Sequence, residues 1–269
     1  MIQAKIKSYA KLNIALNIIR KDSFLHKIET LVVFASLHDE IFIRKIKSNK
    51  HKILFTGKFS QNINKNNTIS KLLSVLEKKK FLKNKKFQIK IKKNIPNKAG
   101  LGGGSMNAAN ILKYFVQKQI IKISKKELFN ISEIVGSDVK LGLNSTYSIL
   151  NSKNEIKRFK KCKKFYVLIV KPNFGCSTKD IYSKVRKFNK PKFNKPNKYM
   201  FNFDYLKKMN NSLEPIAFSK YEKLAKIKLF LEDSSTPAFV RMTGSGSALV
   251  AYFQSKRGSD EAKKNFKKK

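Results

Sequence analysis

Apolar residues recur along this chain with two periods, and the period predicts the element. Phe87, Ile89 and Ile91 alternate with Gln88, Lys90 and Lys92, which predicts a strand with one buried face. The same reading places strands at 5–17, 29–34, 40–46 and 52–59. A buried strand is predicted at 165–171, ended by Pro172. Ile69, Leu72, Leu73 and Leu76 carry helical spacing and predict a helix over 68–82. Further helices are predicted at 105–120, 125–135 and 213–230. A short hairpin is expected from 145–149 and 155–159, and two strands, 238–242 and 248–253, flank Thr243-Gly-Ser-Gly-Ser247. Residues 186–202, rich in Pro, Asn and Lys, read as an exposed, mobile connector. Residues 261–269 read as a basic helix or a frayed tail, and the chain reads as free of internal repeats. A boundary near residue 158 divides it into two α+β halves, 1–158 and 159–269.

One segment follows neither period. Four of the eleven glycines, Gly100, Gly102, Gly103 and Gly104, fall within five positions, between a predicted strand and a predicted helix. Without a Cβ, successive backbone N–H groups can approach an anion closely. The helix start adds partial positive charge, so a phosphate is the natural ligand. The spacing is not that of Walker A, since no Gly-Lys-Ser/Thr follows. Nor is it the dinucleotide fingerprint, because Ser105 stands where the third glycine would be. A plain flexible turn is the structural alternative.

Composition narrows the class. With 269 residues and 41% hydrophobic content, the chain has the means for a packed core. No apolar run approaches the ~20 residues of a membrane span, and the first residues show no apolar signal-peptide core. Two cysteines, Cys162 and Cys176, and three scattered histidines give no disulfide framework and no metal-ligand spacing. A cytoplasmic location fits this cysteine usage. The net charge of +43 points first to nucleic acid. Yet only six of the 60 basic residues are Arg, and the lysines are spread along every segment among abundant Asn and Ile. That pattern matches codon bias and argues against nucleic acid as the specific partner. A basic nucleic-acid-binding protein stays as the non-enzyme alternative.

Only 17 carboxylates exist, so candidate bases are few. Asp138 lies in Gly136-Ser-Asp-Val139, on a tight turn after the apolar end of a helix. It suits a catalytic base, or simply a helix cap. Lys11 interrupts an apolar strand in Tyr9-Ala-Lys-Leu-Asn-Ile14, with Asn13 on the same face. The two either line a binding site or mark a solvated edge.

Taken in order, Ala10-Lys-Leu-Asn13, Pro96-Asn-Lys-Ala-Gly-Leu-Gly-Gly-Gly-Ser105 and Met242-Thr-Gly-Ser-Gly246 resemble the GHMP kinase superfamily, which includes galactokinase, homoserine kinase and mevalonate kinase. Gly136-Ser-Asp-Val139 and Asn211-Ser-Leu-Glu-Pro215 are similar to the branch that phosphorylates a cytidine diphosphate-linked methylerythritol in non-mevalonate isoprenoid synthesis. The resemblance implies the GHMP kinase fold, a ribosomal protein S5 domain 2-like N-terminal domain followed by a ferredoxin-like C-terminal domain. It implies ATP and Mg²⁺ as cofactors, a small-molecule alcohol as acceptor and a monomer or weak homodimer. Lys11 and Asp138 match the catalytic pair. Asn67, Pro96, Lys98, Ala99, Gly100, Leu101, Gly102, Gly103, Gly104 and Ser105 match the ATP-binding positions, with Asn67 at the adenine and Ser105 the one side chain that could reach Mg²⁺. Asn13, His26, Thr178, Tyr182, Gly244, Ser245 and Gly246 match substrate-binding positions, with His26 and Tyr182 at the cytosine. The resemblance departs at Ser23-Phe-Leu-His26, where the family has Gly-Tyr-His, so Phe24 or Leu25 stands in for the Tyr. Homoserine- or mevalonate-type phosphorylation is the alternative within the superfamily.

Overall fold

The strands expected at 29–34 and 40–46 are one: β2 runs from His26 to Ile46. The residues between them contain no Gly or Pro, so nothing breaks the extended backbone. The computed structural model describes residues 3–22 and 25–267. β1 (Ala4–Lys21) pairs with β2. There follow β3 (Lys52–Thr56), α1 (Thr68–Lys78), β4 (Lys86–Lys92), α2 (Gly103–Gln117), α3 (Lys125–Val135) and the single turn α4 (Val139–Gly142). β5 (Tyr147–Leu150) and β6 (Ile156–Phe159) form the expected hairpin. Next come β7 (Tyr166–Val170), α5 (Thr178–Ser183), a 3-10 turn at Lys198–Phe201, α6 (Phe203–Lys207), α7 (Glu214–Lys220) and α8 (Glu222–Ser235). β8 (Phe239–Met242), β9 (Leu249–Phe253) and α9 (Lys256–Lys267) complete the order.

The packing divides the chain into two compact units, and the division is not a single cut. The first unit takes the N-terminal segment through Lys11, then Ala35–Asn97 and Gly102–Ser145. The second takes Leu12–Phe34, Lys98–Leu101 and the chain from Thr146 onward. Residue 158, the expected boundary, falls inside the second unit, because β5 pairs with Thr30–Val32 of β2 and β6 pairs with β5.

In the first unit, Glu40–Ile46 of β2 runs antiparallel to β4, with Ile41 opposite Ile91 and Ile43 opposite Ile89. β3 runs parallel to β4, which the crossover through α1 permits. These isoleucines pack on Leu72 and Leu76 of α1, Ile111, Leu112 and Phe115 of α2 and Ile131 of α3. Burying each such side chain stabilises the unit by about 1.5–3 kcal/mol.

In the second unit, β7, β9 and β8 form an antiparallel sheet in that order. Val240, Met242, Leu249 and Ala251 pack with Leu16 and Ile18 of β1 and with Leu213, Ala217, Leu224 and Leu231 of α7 and α8. β7 is only partly buried, contrary to expectation, and lies at one edge of this sheet; β8, at the other edge, is mostly buried. The helix expected at 213–230 is two helices, broken at Tyr221, whose φ of −133° and ψ of 78° are not helical.

The connector also differs from expectation. It carries a short tandem repeat, Lys187-Phe-Asn-Lys-Pro191 followed by Lys192-Phe-Asn-Lys-Pro196. The two phenylalanines diverge: Phe188 is 47% exposed, whereas Phe193 is fully buried. The buried carboxylate of Glu29 accepts the backbone N–H groups of Lys192 (2.6 Å) and Phe193 (3.1 Å) and so ties the second copy down. Among the described residues no helix is long and apolar enough to cross a membrane.

Candidate active site

The first unit gathers a lysine, an aspartate and a helix start. β1 presents Lys11 inward, with only 3% of its side chain exposed, so the solvated-edge alternative does not hold. Its Nζ donates to Asp138 Oδ2 at 2.7 Å. Asp138 occupies the N-cap position of α4, yet its side chain caps nothing there. The carboxylate is instead 31% exposed and paired with Lys11. A buried ammonium fixes the carboxylate on one side and leaves the other side accessible.

Gly102 is the N-cap of α2 and sits in the left-handed region, at φ 66° and ψ 14°. Among the described residues no side chain caps the helix, so its first amides can serve another acceptor. A Cβ at Gly102 would meet Lys11 Cε at 3.1 Å, which places the glycine directly over the lysine stem. Gly103 has ordinary helical backbone, and the helix starts there, two residues before the expected position. Gly104 is exposed, and a Cβ on it would meet Thr68 Oγ1 at 3.1 Å.

Beside this helix start lies a small pocket open to solvent. Phe55, Ile63 and Ile69 give it an apolar side, and Asn67, Lys93 and Asn107 a polar one. Asn67 caps α1: its Oδ1 accepts from Ile69 N (2.9 Å) and Ser70 N (3.2 Å), and its Nδ2 donates to Asn64 O (2.9 Å) and Lys65 O (3.2 Å). It therefore shapes the pocket wall while both ends of its amide hold backbone.

The second unit takes the front half of the glycine segment. Lys98 O accepts from Cys176 N (3.2 Å) and Ser247 N (3.3 Å), and Ala99 O accepts from Ala248 N (3.1 Å). Gly100, at φ 71°, approaches so closely that a Cβ would lie 2.0 Å from Thr243 O. The expected ATP-binding run 96–105 is thus two pieces: a backbone-paired strip at Lys98–Leu101 and the helix-opening turn Gly102–Ser105.

Thr243 links this strip to β1. Its Oγ1 accepts from Asn13 N (2.9 Å) and donates to Gly100 O (3.2 Å). Asn13 is buried, and its Nδ2 donates to Thr30 Oγ1 at 2.8 Å. Thr178 and Ser245 share a hydrogen bond between hydroxyls at 2.9 Å. Asn211-Ser-Leu-Glu-Pro215 braces this turn from below. Asn211 Nδ2 donates to Met242 O and Gly244 O, both at 2.8 Å, and Glu214 Oε2 accepts from Met242 N at 2.8 Å.

His26 stands between two aromatic rings, Tyr182 at 5.2 Å and Phe188 at 6.5 Å between centroids. Its Nε2 is buried and has no hydrogen-bond partner among the described residues. Burial, and then the nearby Lys21 charge, hold the imidazole below its ordinary pKa. Leu25 is 72% exposed and packs as no wall here, while Ser23 and Phe24 lie outside the described residues.

Sequence reasoning missed Asp39, Lys93, Asn107, Thr30 and Phe188. A signal existed for three of them. Asp39 falls in phase with Ile41 and Ile43, and Lys93 with Phe87, Ile89 and Ile91. Asn107 lies four positions before Ile111 and eight before Phe115 on α2. Each is a polar residue where the period calls for an apolar one.

Among the described residues no cluster of three His, Cys, Asp or Glu side chains could hold a metal ion. The oxygen donors of Asp138 and Ser105 suit a hard cation that arrives mostly ligated by phosphates, as Mg²⁺ does.

Residues 67–151 match the model of the GHMP kinases N terminal domain. The chain is 53% identical to the 4-diphosphocytidyl-2-C-methyl-D-erythritol kinase of Pelagibacter ubique (strain HTCC1062) over 265 residues, 98% of this chain and 94% of the relative. It is 34% identical to the enzyme of the same name from Petrotoga mobilis, over 91% of this chain and 96% of the relative. Among solved structures it is similar to a 4-(cytidine 5'-diphospho)-2C-methyl-D-erythritol kinase, with a TM-score of 0.78, 23% identity and coverage of 98% and 96%. Homoserine kinase from Cytophaga hutchinsonii shares the fold at a TM-score of 0.72 and 16% identity, over 99% of this chain and 91% of that one. By sequence over nearly its whole length, and with its α+β fold in agreement, the chain belongs to the 4-diphosphocytidyl-2-C-methyl-D-erythritol kinase family of the GHMP kinases.

Proposed function

We propose that this chain transfers the γ-phosphoryl group of ATP to the 2-hydroxyl of 4-diphosphocytidyl-2-C-methyl-D-erythritol. The observation that carries the reading is the pair of Lys11 and Asp138, at 2.7 Å, with the carboxylate open on one side. Asp138 accepts the proton of the hydroxyl as its oxygen turns nucleophilic. Lys11 orients that carboxylate and sets a positive charge beside the reacting oxygen. The amides that open α2 at Gly102–Ser105 hold the phosphate chain, which suits a transfer that depends on positioning more than on covalent chemistry. Mg²⁺, when bound, neutralises phosphate charge, with Ser105 and Asp138 as the nearby oxygen donors.

In the second unit, Asn13, Thr178 and the Gly244–Gly246 turn contact the acceptor. Tyr182 stacks on the cytosine, and His26 supplies a hydrogen bond through its Nε2, which has no partner among the described residues. The test is ADP release from ATP with Mg²⁺ across a panel of alcohols that includes homoserine, mevalonate and the cytidine diphosphate-linked methylerythritol. Turnover with the last alone is the expected result; preference for another alcohol rejects this acceptor.

A further inference from the structure

Asp39 is fully buried, and its carboxylate accepts from four donors. Oδ1 takes Asn94 N and Ile95 N, both at 2.8 Å. Oδ2 takes the Lys93 ammonium and Asn107 Nδ2, the latter at 2.8 Å. These donors come from the residues that follow β4 and from the second turn of α2. Lys93 and Asn107 both line the pocket at the helix start. A Cβ on Gly103 would meet Lys93 Nζ at 3.1 Å, so the ammonium lies under the first residue of α2.

We propose that Asp39 is a positioning residue of the nucleotide site, one that fixes the hydrogen-bonding pattern of the pocket wall between β4 and α2 before ATP arrives. The proposal rests on the reading of that pocket as the nucleotide site. An ionised carboxylate only accepts, so the Asn107 amide must turn Nδ2 toward Asp39. That orientation leaves Asn107 Oδ1 as an acceptor, and it has no partner among the protein's described residues. An unpartnered acceptor on a pocket-lining residue suits an amino donor such as the one adenine carries. A guanine, with a carbonyl at that ring position, would present acceptor to acceptor. Asp39 also balances the Lys93 charge, which keeps this wall neutral beside an apolar floor, as a base requires and a phosphate does not.

The test is calorimetric titration of ATP and GTP against the full chain, with KM for the cytidine substrate measured alongside. In Asp39→Asn the new side-chain amide donates, so the Asn107 amide turns and presents Nδ2 to the pocket. ATP affinity is expected to fall about tenfold, the ATP-over-GTP preference to narrow, and KM for the cytidine substrate to stay within about twofold. Asn107→Leu removes the acceptor and leaves Asp39 paired with Lys93, so it decides the matter should Asp39→Asn fail to fold. It should lose the same preference. A purely structural Asp39 would lower the melting temperature and leave nucleobase preference unmoved. An unchanged ATP affinity and ATP-to-GTP ratio in folded Asn107→Leu overturns the inference while the kinase reading stands. Binding of neither nucleotide by the parent chain overturns both.

Discussion

Lys11 pairs with Asp138, and Lys93 pairs with Asp39, within the same unit. The lysines are alike: 3% and 4% of their side chains are exposed. The carboxylates are not. Asp39 is fully buried and all its bonding capacity is taken by two backbone amides, an ammonium and a carboxamide. Asp138 is 31% exposed and does not cap the helix it begins. A saturated carboxylate has nothing left to offer a reactant and serves as architecture. A carboxylate held by one buried cation, and open opposite to it, is prepared for a proton.

This contrast sets the order of expected effects. Asp138→Asn should lower kcat by roughly 10²–10⁴-fold, the range for a lost general base, while ATP affinity holds. Near-normal turnover in the folded variant would erase the contrast. Asp39→Asn should spare kcat and show instead in stability, alongside the loss of nucleotide affinity argued above. It leaves the Lys93 ammonium buried without its counter-charge, and breaking a buried pair in this way costs about 3–5 kcal/mol in denaturant unfolding. A loss for Asp39→Asn no larger than that for Asp138→Asn would place both carboxylates in one class.

Gly102→Ala sharpens the comparison from the backbone side. A left-handed φ costs a non-glycine residue roughly 1–2 kcal/mol, and the new Cβ would press on the Lys11 stem. Turnover should drop while the Asp39 pair is untouched; an unaffected kcat would separate the loop from the catalytic lysine. Partial exposure beside an unsatisfied group also singles out Tyr182, next to His26, in the second unit. Tyr182→Ala should raise KM for the cytidine substrate about tenfold, in line with roughly 1–3 kcal/mol for one stacked base, and spare KM for ATP. The reverse split would remove Tyr182 from the acceptor side.

The smallest effect concerns pH. The His26 pKa is lowered from 6.5 by burial and then by Lys21. A folded-state pKa below the unfolded value means that the folded chain takes up this proton less readily. His26 therefore leaves stability unaffected above about pH 6.5 and reduces it as pH falls from there through the folded pKa. An NMR titration of the imidazole should give a midpoint below 6.5, and a midpoint above it would contradict the burial argument.

Much of the fold was legible because period and burial agree. α3 occupies 125–135, the range its spacing predicts, and the 145–159 hairpin forms with only small changes at its ends. Errors fell where tertiary partners decide. β2 continues through Ser36 and Leu37 although the two apolar stretches look separate. β7 reads as a buried strand yet lies at a sheet edge, a fact that depends on strand order. In the site, Lys11 and Asp138 stood out as polar residues in apolar or tightly turned surroundings, but their pairing spans 127 positions and no local pattern encodes it. Asp39 and Lys93 carried the same signal, 54 positions apart, and went unread because each resembled its many charged neighbours. A polar residue in the apolar phase of an element is worth pursuing in a chain with so much lysine.

The interleaving of the two units bears on how the chain is made. The first unit draws on nothing beyond Ser145, whereas Leu12–Phe34 packs with residues that follow Thr146. A ribosome delivers the chain from its N-terminus, so the first unit can close while the second still lacks its sheet. Leu16 and Ile18, synthesised more than 200 positions ahead of their partners, wait for Val240, Leu249 and Ala251. Such long loop closures slow folding. In refolding from denaturant, pulsed hydrogen exchange should therefore protect the amides of Ile43 and Leu112 before those of Leu16 and Ile18. Simultaneous protection would show that the two units close as one.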